Sequence, residues 1–144
     1  MLKILPEQMR AFSGVADELL TQRLADHLRL NYADNVVKLP TAELQLSELA
    51  EGDLKAMIQE GCARARSYQI SHESALAGFV ALMFEAAPNF DSYPPMQRTL
   101  QDENTPPNSR VDLLLDQASE EDWAKVRESY DADAWKLSPK VNRA

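Results

Sequence analysis

From Leu54 to Ala87 apolar residues recur at helical steps almost without a break, and this stretch restricts the chain to helical architectures. Leu54, Met57, Ile58, Gly61, Cys62, Ala65 and Tyr68 fall on one helix face, and Leu76, Phe79, Val80, Met83, Phe84 and Ala87 on the next. Ser71 offers an N-cap oxygen to the second helix, Glu73 suits the positive end of its dipole, and Pro88 stops it. Joined by a few residues, the two are expected to pack as an antiparallel hairpin. The small side chains of Gly61, Cys62 and Ala65 permit a close approach there, and Glu60 and Arg64, spaced i,i+4, are assigned to the solvent side.

The remaining chain is read around that hairpin. Pro6 and Glu7 suit a first helical turn, and Met9, Phe12, Ala16, Leu20, Leu24 and Leu28 extend one face to about Asn31, the longest helix expected. Tyr32 to Gly52 concentrates Asp34, Asn35, Pro40 and Thr41 among scattered apolar residues, which predicts a loop with one short helical turn. Five of the eight prolines lie between Pro88 and Ser109, leaving room for one short helix from about Pro95 to Asp102. Val111, Leu114 and Leu115 mark another helix, and Ser119 followed by Glu120, Glu121 and Asp122 opens one through Trp123, Val126 and Tyr130. The expected fold is all-α: a single-domain irregular bundle of about five to six helices with a central antiparallel hairpin, over residues 1–134. Residues 135–144 are expected to fray.

A chain of 144 residues hides roughly 70% of its unfolded surface and needs no staple. Its single cysteine, Cys62, cannot form an internal disulfide and lies on an apolar helix face, where packing is its expected role. A net charge of −8 opposes binding to nucleic acid. Residues 102–134 hold ten acids against three bases, a net of −7, so the acidity is concentrated towards the C-terminus. No stretch reaches the 18 apolar residues of a membrane span, and Met1 to Glu7 lacks the apolar run of a signal peptide, so a cytoplasmic location is expected.

Chemistry-bearing motifs are sparse. His27 and His72 stand apart from any metal-ligand spacing, so no metal site and no cofactor are expected. Asp112 and Asp116 are i,i+4 neighbours that would share a cation or hold a raised pKa if desolvated, and together with either histidine they form the enzymatic reading open to the chain, a small cytoplasmic enzyme. No phosphate-binding glycine loop and no Gly-x-Ser-x-Gly occur. Two features suit recognition of a protein partner. One is the loop Pro88 to Pro95, whose Phe90, Asp91 and Tyr93 either plug the core beneath it or anchor a partner. The other is the acidic stretch of Asp112, Asp116, Glu120, Glu121 and Asp122 beside Trp123, which would steer and grip a basic protein or simply keep the chain in solution. Mimicry of nucleic acid by this face and pairing of two copies of the chain remain open alternatives.

The run Ala63-Arg64-Ala65-Arg66-Ser67-Tyr68-Gln69-Ile70-Ser71, followed by Leu82-Met83-Phe84 and Pro88-Asn89-Phe90-Asp91, resembles small helical proteins encoded beside type VI secretion spike and effector genes. The likeness extends from about Leu5 to Leu115 and departs at Gln69, where a glycine is expected. Such a resemblance implies a non-catalytic module that binds a secreted effector, as an immunity protein blocking it or as an adaptor loading it onto the spike. It supplies no catalytic residues.

Overall fold

The reason Gly61 is glycine is visible at the contact between the two central helices, α2 (Glu51–Ser67) and α3 (Glu73–Glu85). A Cβ at position 61 would lie 2.7 Å from Met83 Sδ and 3.0 Å from Val80 Cγ2. The backbone of α2 therefore packs directly on the Met83 and Val80 side chains of α3, and a methyl group there would require the Met83 thioether to shift. In this computed structural model the backbone is described for residues 6–137 and side chains for residues 17–137. Among the described residues the protein is mostly helical, with six α-helices and one two-stranded sheet.

The long first helix, α1 (Pro6–Asn31), buries Leu20, Leu24, Ala25 and Leu28 against the central pair. The side chains of Met9, Phe12 and Ala16, assigned to the same face, lie outside those described. The segment expected to be a loop contains a β-hairpin, β1 (Val36–Lys38) with β2 (Glu43–Gln45), in the register Val36↔Gln45, Val37↔Leu44 and Lys38↔Glu43. Each strand is three residues long, too short for its alternation to stand out from surrounding turn residues. Val37 points from this hairpin into the core, and the 3-10 turn Leu46–Glu48 that follows buries Leu46. The helices α4 (Pro94–Leu100), α5 (Arg110–Gln117) and α6 (Glu120–Glu128) occupy the stretches their sequence signals mark.

Three local expectations are corrected. First, α3 begins at Glu73 with His72 as its N-cap, and no side chain of its own caps it. The amides of Ser71 and His72 instead both donate to Asn108 Oδ1, at 2.8 Å each, so the cap comes from the segment before α5. Second, Arg64 is not a solvent-facing partner of Glu60 alone, for its side chain is 15% exposed. The guanidinium donates to Pro88 O, to Asp91 Oδ1 (3.1 Å), to Ala134 O (2.8 Å) and to Glu60 Oε2 (3.4 Å). One arginine thus ties α2 to the loop after α3 and to the C-terminal segment.

Third, Trp135, placed at the start of a frayed tail, is fully buried. Its ring lies 4.8 Å from that of Phe84, and its Nε1 donates to Tyr130 Oη (3.0 Å) and Lys38 O (3.2 Å). Tyr130 Oη also accepts from the Lys38 amide at 3.1 Å, and Asn89 holds Ser129 O and the Asp131 amide. The physical reason is that an indole offers large apolar area to the core at Phe84 and an N–H that Tyr130 and Lys38 accept. The rest of the expected tail, residues 138–144, lies outside the described residues.

Candidate interaction surface

Two segments were singled out as recognition elements, and the structure treats their residues differently. In the loop after α3, Phe90 is fully buried, with its ring 4.9 Å from that of Phe79. Asp91 is buried as well, accepting from Arg64 and, at 2.9 Å, from the Tyr68 hydroxyl. Burial and the neighbouring Asp91 carboxylate push the Tyr68 phenol up to about 12. Phe90 and Asp91 are therefore core plug and buried counter-charge, so of the two roles open to the loop their side chains take the interior one. At 4% exposure, the Asp91 carboxylate presents almost no surface to a partner.

Tyr93 is half-buried and forms the N-cap residue of α4. Its hydroxyl reaches Asp122, where it helps keep the carboxyl below the ordinary range, after the larger effect of the Ser119 amide. Tyr93 and Asp122, far apart in sequence, thus meet at the start of α6. The N-terminus of that helix follows its sequence signature: Asp122 N donates to Ser119 Oγ (3.1 Å) and Ser119 N to Asp122 Oδ2 (3.0 Å), a reciprocal capping box. Asp122 is in this respect a structural acid.

The other carboxylates face water. Asp112 and Asp116 are exposed on α5, and Glu120 and Glu121 are exposed in the first turn of α6. Glu121 pairs with Lys125 at 3.3 Å, and this bond raises the Lys125 ammonium above its ordinary value. The ion pairs among the described residues involve neither Asp112, Asp116 nor Glu120. Between Asp112 and Asp116 lies Leu115, half exposed at 50%. At i, i+3 and i+4 the three side chains share one stretch of the helix surface, an apolar group flanked by two acids. Trp123 is half-buried and packs its inner side on the core.

Asp112 and Asp116 are both exposed, so the burial that an acid–base pair would draw on is absent there. Among the described residues no group of three or more His, Cys, Asp and Glu side chains is disposed to hold a metal ion. Cys62 is buried, and that burial pushes its thiol up to about 11, so the nucleophilic thiolate is disfavoured. His27 is an exposed helix residue that meets Asn31 and the edge of Tyr32.

Sequence reasoning missed Leu115 as a surface group because its spacing from Val111 matches the buried face. It also missed Arg64 and Arg110 as interior residues, since a cation in an amphipathic pattern is assigned to solvent. The chain matches no protein-family model, no curated protein and no solved structure. No helix among the described residues is long and apolar enough to cross a membrane.

Proposed function

We propose that this chain is a non-catalytic protein-binding module whose α5–α6 surface grips a basic partner. The single observation that supports the reading most is Leu115, half exposed between Asp112 and Asp116 and followed by Glu120, where those three acids form no ion pair among the described residues. An apolar contact ringed by unpaired carboxylates supplies burial at the centre of an interface and steering at its rim. The resemblance to proteins encoded beside type VI secretion genes makes a secreted effector the partner expected and inhibition of that effector in the cytoplasm the expected role.

The test is to isolate the complex from native extract, identify the partner by mass spectrometry, and measure its affinity against salt. The expected partner is basic, and its binding weakens steeply as the Debye length falls from ~30 Å at 0.01 M salt to ~3 Å at 1 M. An acidic partner, or an affinity indifferent to salt, overturns the reading. Inhibition and delivery then separate on the purified complex: an immunity protein abolishes the effector's activity, whereas a loading adaptor leaves it intact.

A further inference from the structure

Arg110 is the one buried cation of the described residues that meets no carboxylate within ion-pair distance. The residue is 6% exposed, and none of the ion pairs includes it. Its Nε donates to Thr105 O (3.0 Å), and its Nη1 to Tyr68 O (3.1 Å) and Leu100 O (3.0 Å). Those three carbonyls consume Nε and Nη1, and they lie on the α2 C-terminus, the end of α4 and the turn before α5. Nη2 takes none of these bonds. No fully buried side-chain nitrogen or oxygen among the described residues lacks a partner, so Nη2 reaches solvent.

It does so in a cleft of about 550 Å³, lined by Arg110 together with Ser67, Gln69, Gln101 and Glu103. Gln69 stands at the lip in the left-handed region, at φ 70°. The bonds Gln69 N to Arg66 O and Ile70 N to Ala65 O make it the residue after a helix C-cap that is usually glycine. A glutamine there keeps an amide at the cleft where glycine would relieve the backbone.

We propose that this cleft binds a carboxylate. The guanidinium supplies a positive charge that is met by three carbonyl dipoles and, at longer range, by Asp102, and its Nη2 offers N–H donors to one oxygen of an anion. The exposed amides of Gln69 and Gln101 provide donors for the second oxygen. Glu103 on the wall and the net charge of −8 select a monoanion over a dianion such as phosphate. The site lies apart from the α5–α6 acids and does not rest on the function proposed above. The carboxylate comes either from a small free acid or from the C-terminus of a peptide chain.

Side-chain NMR of the Arg110 guanidinium and the Gln69 and Gln101 amides reads the site directly, titrated in turn with sodium acetate, inorganic phosphate, and a tripeptide with a free or amidated C-terminus. Saturable shifts with acetate and the free tripeptide, and weaker ones with phosphate and the amidated tripeptide, are the expected result. Tighter binding of the free tripeptide than of acetate assigns the site to chain termini, and equal binding assigns it to small acids. Absence of saturable shifts with both carboxylates, or phosphate binding at least as tightly, overturns the proposal. Because Arg110→Lys is liable to unfold the chain, the variant of choice is Glu103→Gln, which removes a repelling charge from an exposed position. It tightens acetate binding about threefold; unchanged or weaker binding counts against the site.

Discussion

The loop from Pro88 to Tyr93 and the surface of α5 and α6 both set acids beside aromatic residues, yet the fold uses them in opposite ways. In the loop, Asp91 faces the partly buried Arg64 guanidinium and a phenol, and Phe90 fills the core. On α5 and α6, Asp112, Asp116 and Glu120 face water beside an exposed leucine. The difference teaches that an acid near an aromatic stays at the surface only when no interior cation claims it. Arg64 claims Asp91, and among the described residues no cation pairs with Asp112 or Asp116.

The largest expected effect tests the loop side of this comparison. Arg64→Ala leaves Asp91 buried without its cation and releases the C-terminal segment at Ala134, so urea denaturation is expected to show a loss of about 3–5 kcal/mol. A loss below ~1 kcal/mol would mean that the loop charge is solvated after all. Next, Tyr68→Phe removes the second donor to Asp91 and costs about 1–2 kcal/mol at neutral pH.

The same tyrosine gives the pH dependence. Tyr68 is pushed up to about 12 by burial and Asp91, and Tyr32 to about 12 chiefly by its hydrogen bond to Glu85. In the unfolded chain both ionise near 10, so between pH 10 and 12 only the unfolded state gives up these protons. Their contribution to stability is complete below pH 10 and is lost as pH rises towards 12. Alkaline denaturation curves are expected to fall through that window, and to fall less steeply in Tyr68→Phe.

The smaller effects sharpen the other side. Ser119→Ala removes the cap that Asp122 reciprocates and lowers stability by about 1 kcal/mol, which marks Asp122 as the structural member of the acidic stretch. Asp112→Lys combined with Asp116→Lys changes stability by less than about 0.5 kcal/mol in the same assay, because neither side chain has an internal partner among the described residues.

The helical framework was legible from apolar spacing and capping residues: Gly61 signalled the close contact of α2 and α3, and Ser119 with its following acids marked the start of α6. The hairpin of Val36 to Gln45 was not legible, since three-residue strands leave one inward side chain each and no period to detect. Arg64, Arg110 and Trp135 were misread for a common reason. Local pattern sends a guanidinium to solvent and a chain end to disorder, while the contacts that bury them come from residues up to 97 positions away. The acids of α5 and α6 were readable as a cluster, but only the fold separates Asp122, consumed by a helix cap, from its exposed neighbours.

The most direct measurement is calorimetric binding of the purified partner, at low salt, to the chain bearing Asp112→Lys, Asp116→Lys and Glu120→Lys, alongside its melting temperature. Loss of binding with an unchanged melting temperature is the predicted result. Undiminished affinity in a folded variant would contradict the assignment of this surface to partner recognition.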